Sequence, residues 1–151
     1  IDRMAAQNYI EKYFSKYPGV RQYMDEAKKF AKFNGYVETF FGRRLWTPEI
    51  NGGNGMRRAA AERAAINGPM QGTAADLIKL AMIKVDDWLT NNNTLQGKMI
   101  MQVHDELVFD VHKSEKDQIK DIVETTMESA VKLKVPLKID LEFGKNWLEA
   151  H

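Results

Sequence analysis

An α+β fold, with a largely helical front half followed by an antiparallel hairpin, a helix and a further strand, is predicted by three observations. Residues 2–34 and 54–89 carry apolar residues at helical spacing, punctuated by Pro and Gly. Residues 99–111 hold two short apolar runs, MIMQV and LVFDV, separated only by His104, Asp105 and Glu106. Residues 137–143, LKIDLEF, alternate apolar and polar with the period of a strand.

Taken in order, residues 2–16 form an amphipathic helix with Met4, Ala5, Ile10, Tyr13 and Phe14 near one face. Pro18 breaks it. A second helix runs to about Asn34, carrying Val20, Tyr23, Met24, Ala27 and Ala31, and Gly35 closes it. Residues 36–46 suggest a short hairpin turning near Gly42, with Arg43 and Arg44 just past the turn. TPEINGGNG is expected to be a loop. Asn54 can cap an Ala-rich helix through Ile66, which GPMQG interrupts. Thr73 with Asp76 then opens another helix to about Leu89. After a loop at 90–97 come the hairpin strands, a helix from Ser114 and Asp117 through about Leu133, and the closing strand. Leu137, Ile139, Leu141 and Phe143 of that strand are expected to point inward. No internal repeat or low-complexity segment interrupts this order.

The 151 residues suffice for one domain with a core but not for several. An apolar share of 44% and a charged share of 28% are ordinary for a soluble globular chain. No apolar run approaches the roughly 20 residues that span a bilayer, and no signal-peptide pattern opens the chain. The absence of cysteine rules out disulfides and thiolate zinc sites and suits a reducing cytosol. A chain opening on Ile1 rather than Met is expected to be a processed or excised piece.

Net charge is only +1, but it is unevenly placed. Residues 1–68 carry 12 Lys and Arg against 7 Asp and Glu, whereas residues 69–151 carry 10 against 14. All seven arginines lie in the first part, at 3, 21, 43, 44, 57, 58 and 63. A basic part beside an acidic one fits a protein that holds a polyanion and a metal, and it equally fits an uneven solvated surface.

Three constellations could carry chemistry. His104, Asp105 and Glu106 place two adjacent carboxylates at a strand turn, where they either sit in water or meet a cation. Hard oxygen donors without cysteine would suit Mg²⁺ or Mn²⁺. Arg63, Asn67 and Gln71 are spaced by four, so on a continuous helix they drift only about 40° per step and share a face. Amid small neighbours, such donors can reach the acceptors that base pairs show in the minor groove. An alanine-packed helix with solvated polar residues is the competing reading. Arg43 and Arg44 with Arg57 and Arg58 form a basic set, the latter pair opening a helix whose free N–H groups would favour phosphate. His112 and His151 show no pattern, and Met99–Met101 reads as core.

Together, GYVETFFGRRLWTPEI, RRAAAERAAINGPMQGTAADLIKLAMI and MQVHDELVFDVH resemble, in order and spacing, the C-terminal part of the family A DNA polymerases. The likeness runs from YFSKYPGVRQYM to the closing NWLEAH and covers almost the whole chain. It implies that residues 1–55 are the later part of the fingers and 56–151 the later part of the palm. It implies that Asp105 is one of two aspartates holding two catalytic Mg²⁺ ions, with Glu106 an auxiliary carboxylate and His104 beside the primer terminus. Arg63, Asn67 and Gln71 match positions on the minor-groove side of the terminal base pairs. The opening helices and the Arg43–Arg44 hairpin are expected to touch template or backbone, and Arg57 and Arg58 are expected to bind DNA with them. The implied partners are primer–template DNA, deoxynucleoside triphosphates and an N-terminal portion of the polymerase, in a monomeric parent of the bacterial cytoplasm, at the nucleoid.

The family's other metal aspartate lies in a motif of the type D-Y-S-Q-I-E, which does not occur here. The fingers helix that supplies nucleotide-binding Arg, Lys and Tyr is missing as well, as is any exonuclease domain. The chain alone is therefore expected not to polymerise. A noncatalytic DNA-binding remnant, a subunit of a split polymerase and a metal-dependent nuclease remain as alternatives.

Overall fold

The computed structural model describes residues 2–92 and 94–150. Ile1, His151 and Asn93 of the expected 90–97 loop lie outside them. The described residues form four α-helices and two separate two-stranded antiparallel sheets, grouped into compact units 1–73 and 74–151. No helix among them is long and apolar enough to cross a membrane.

In the first unit, α1 (Arg3–Lys16) starts where the Asp2 carboxylate accepts from the Ala5 N–H at 2.7 Å. Tyr17 ends it, and Pro18 opens α2 (Pro18–Asn34) at a position where its missing N–H costs nothing. Gly35 closes α2 at φ 78°, its N–H donating to the Ala31 carbonyl at 2.8 Å. The expected apolar face of α1 is not buried: Met4 is 76% and Tyr13 50% exposed, and no residue of α1 counts as core. On α2 the buried stripe shrinks to Ala27 and Ala31, while Val20 is exposed.

The first hairpin pairs β1 (Tyr36–Glu38) with β2 (Arg44–Trp46), Val37 opposite Leu45, around a turn in which Gly42 has φ 80°. The stretch expected to be a loop contains a short 3₁₀ turn, Pro48–Asn51, that buries Ile50 completely. Ala31, Val37, Ile50, Ala61 and Ala65 make the core of this unit, with Leu45 packed against it.

The expected break at Pro69 does not occur. One helix, α3 (Gly55–Asn91), runs through GPMQG, so Thr73 and Asp76 do not open a new helix. Proline removes one helical hydrogen bond and crowds the Ala65 carbonyl, yet tertiary packing on both sides of it outweighs propensity. Added Cβ atoms at Gly68 and Gly72 would lie 3.0 Å from Leu45 Cδ1 and 2.6 Å from Thr39 Cγ2, so the bare backbone beds directly on the first hairpin. Arg43 Nη2 donates to the Gly72 carbonyl at 3.0 Å, and Tyr23 Oη to the Ile66 carbonyl at 2.8 Å. The Thr73 hydroxyl, instead of capping, donates to the Pro69 carbonyl and accepts the Phe40 N–H at 2.9 Å.

In the second unit, β3 (Lys98–Val103) pairs antiparallel with β4 (Glu106–Asp110), with a bulge between Met99 and Met101. Val85, Ile119 and Val123 are its core, joined by Leu89, Leu95, Phe109, Val111, Met127, Ile139 and Leu141. The Met99–Met101 run is not core as expected: Ile100 is 60% and Met101 42% exposed. Helix α4 (Lys116–Glu128) follows a 3₁₀ turn at Lys113–Glu115 and stops short of Leu133. Its approach is capped by His112, whose Nδ1 meets Ser114 Oγ at 2.8 Å, and not by the Ser114–Asp117 pair.

The closing strand is a further correction. Residues 137–143 make no ladder with another strand among the described residues. Leu137, Ile139 and Leu141 are half-buried between exposed neighbours, as the alternation required, whereas Phe143 is exposed and its ring lies 4.9 Å from Lys116 Nζ. Side-chain burial follows the period of 2, but the backbone groups find no neighbouring strand.

Candidate active site and nucleic-acid interface

Pairing of Val103 with Glu106 leaves only His104 and Asp105 in the turn of the second hairpin, so Glu106 is the first residue of β4. His104 has φ 54°, and it is the only non-glycine residue among the described ones at positive φ. Two-residue hairpin turns require positive φ at the first central position and usually place glycine there. A non-glycine residue in that conformation costs on the order of 1–3 kcal/mol, and histidine is among the residue types that adopt it more often than most. Gln102 Nε2 donates to the His104 carbonyl across the same turn. Sequence reasoning passed over Gln102, although its signal was there: it is the polar residue inside the apolar run.

His104 and Asp105 are exposed and Glu106 half-buried. The two carboxylates are hard donors of the type Mg²⁺ prefers. Among the described residues no group of three or more His, Cys, Asp and Glu side chains could hold a metal ion. Asp105 and Glu106 thus supply donors of a suitable type but no complete ligand set among the described residues.

Continuity of α3 places Arg63, Asn67 and Gln71 on one face, and all three are exposed. The buried positions Ala61, Ala65 and Gly72 lie roughly opposite at about 100° per residue. A helix with small residues inward and long planar donors outward can lie close to a broad partner surface.

The basic set is partly engaged. Arg44 Nε donates to Glu38 Oε1 at 3.2 Å and its guanidinium lies 4.5 Å from the Tyr36 ring centroid. Arg57 Nη1 is 3.8 Å from Glu49 Oε1, and Arg58 Nη1 donates to the Gly52 carbonyl at 3.4 Å. Asn54 Oδ1 accepts the Met56 and Arg57 N–H groups, so these two are not available to a phosphate. Each arginine keeps further N–H donors, since the guanidinium has five. Nearby, Lys32 hydrogen-bonds Glu62 at 2.7 Å and holds its carboxyl below the usual range, as Lys28 does for Asp25.

The profile of DNA polymerase family A matches residues 1–149. The DNA polymerase I of Pseudomonas aeruginosa is 49% identical over 151 residues, covering 100% of this chain and 16% of that protein. That of Caldicellulosiruptor bescii is 49% identical over 149 residues, covering 99% of this chain and 17% of its own. The chain thus spans about a sixth of the length of these curated relatives. A solved structure, the polymerase domain of Pol1 from M. smegmatis in complex with DNA primer–template and dNTP, superposes with a TM-score of 0.94 at 40% identity. It is covered over 26% of its length by 99% of this chain.

Proposed function

The chain belongs to DNA polymerase family A, and we propose that it serves as the late-fingers and palm portion of a DNA-directed DNA polymerase, extending a primer 3′ end on a template. The observation that carries the reading is the strained two-residue turn that presents Asp105. In this reading residues 1–55 belong to the fingers and 56–151 to the palm. Deoxynucleoside triphosphates and primer–template DNA are the partners, in a monomeric bacterial polymerase of the cytoplasm that serves replication and repair.

Asp105 would hold two Mg²⁺ ions together with an aspartate outside this chain, and Glu106 would assist it. When bound, such ions stabilise the charge that develops on the transferring phosphoryl group. The chain's own part is positional. The hairpin fixes the carboxylate, because misplacement by about 1 Å is enough to cost some 10²-fold in rate. His104 would adjoin the primer terminus. Arg63, Asn67 and Gln71 would hydrogen-bond minor-groove acceptors that every base pair displays, checking pair shape without reading sequence. Arg43, Arg44, Arg57 and Arg58 would contact template or backbone phosphates with their remaining N–H groups.

With one of the two aspartates, the 151 residues alone are expected not to polymerise. The test is primer extension by the intact polymerase carrying this sequence, with Mg²⁺ supplied or chelated. Extension should require Mg²⁺ and fall about 10²–10⁴-fold in Asp105→Asn, matching the several kcal/mol of charge stabilisation at stake. Normal extension by that variant would remove Asp105 from the site.

A further inference from the structure

We propose that the groove beside Trp46 seats an unpaired nucleobase of single-stranded DNA. The groove has a volume of about 330 Å³, and its lining includes Trp46 and Pro48 together with Ala60, Ala61 and Ala64 of α3. That volume falls in the range of roughly 300–1,000 Å³ typical of ligand sites. Alanines leave a flat apolar floor, which suits a planar ring better than a branched side chain.

Trp46 is 69% exposed although it ends a strand whose neighbour Leu45 packs on the core. Its ring is braced from one side, with Tyr36 at 5.3 Å and Phe30 at 5.9 Å from Tyr36 in turn, both edge to face. A braced indole open to solvent is a stacking platform whose ordering cost is already met. In the same wall, buried Thr47 keeps a hydroxyl without a hydrogen-bond partner among the described residues.

Charge selects a nucleic acid over an apolar peptide. The groove lies in the half of the sequence with a net charge of +5, and Arg57 lines it. The one acidic residue of the lining, Glu49, is offset by Arg57 at 3.8 Å. Arg58 sits next in the chain to lining Arg57 and Arg44 two residues before Trp46, and both add cationic reach. An apolar floor with a cationic rim stacks a base while holding its phosphates, without preference for sequence. The inference rests on the polymerase reading only for the strand's identity, an unpaired template segment.

The test is fluorescence anisotropy of a labelled single-stranded oligodeoxynucleotide with the full 151-residue chain at two salt concentrations. Trp46→Ala should weaken binding about 5–150-fold, the value of one base–aromatic stack, with an unchanged salt slope because no phosphate contact is lost. Trp46→Phe should keep most of the affinity, and an oligonucleotide of abasic sites should bind the unaltered chain as weakly as Trp46→Ala binds the normal one. Equal binding by Trp46→Ala, equal binding of the abasic strand, or the same loss in Trp46→Phe would each overturn the proposal. Failure of the polymerase reading shows elsewhere, as primer extension that survives Asp105→Asn.

Discussion

The two hairpins of this chain are built alike and solve their turns in opposite ways. In the first, Gly42 takes the positive φ and the neighbouring residues are used for packing: Val37 is buried, Leu45 meets Gly68 and Gly72, and Arg43 ties to the Gly72 carbonyl. In the second, a histidine takes the positive φ and an exposed aspartate follows it. The first turn gives its positive φ to a glycine, the residue that takes it without strain. The second puts a histidine at that conformation, next to an exposed aspartate. A locally unfavourable residue with no packing reward is thus a reason to propose a site, whereas an arginine at a turn can be structural.

The contrast can be broken or sharpened by substitution. Ile50→Ala removes the fully buried side chain beneath the first hairpin and should cost about 2–5 kcal/mol in denaturant unfolding. Gly72→Ala would force a Cβ to within 2.6 Å of Thr39 Cγ2 and should cost about 1–3 kcal/mol, read as a lower unfolding midpoint with an unchanged denaturant slope. His104→Gly should raise stability by about 1 kcal/mol, because it relieves the left-handed conformation, while lowering incorporation by the intact polymerase. A stability loss there would show that the histidine serves the fold after all.

The smallest expected effect concerns pH. Lys32 lowers the pKa of Glu62 in the folded state, so its contribution is present at neutral pH and is lost as pH falls through that lowered value. Glu62→Gln should therefore flatten the acid limb of the stability profile and leave the alkaline limb unchanged. The pair is solvent-exposed, so salt should shrink the difference.

Much of the fold was legible because its signals are local. Pro18, Gly35, Gly42 and Asn54 act where their chemistry places them. The errors came where distant residues decide. Nothing near Pro69 announces that Val37, Thr39 and Leu45 will hold a helix across it. The alternation of 137–143 reports which side chains face inward, but a strand also needs a backbone partner, and alternation carries no information about one. His112 as a cap was missed because histidine is an uncommon one. In the candidate site the residue types alone marked His104, Asp105 and Glu106, but the division into a two-residue turn and a strand residue required the register.

The most direct measurement pairs the two turns in one protein. Single-nucleotide incorporation and the unfolding midpoint would be determined for Asp105→Ala and Gly42→Ala in the intact polymerase. Asp105→Ala should lose incorporation about 10²–10⁴-fold at an unchanged midpoint. Gly42→Ala should lose about 1–2 kcal/mol of stability, since alanine resists φ 80°, and keep its rate well below melting. Unimpaired incorporation by Asp105→Ala, or a loss that merely tracks its midpoint, would contradict the assignment of the second turn to chemistry.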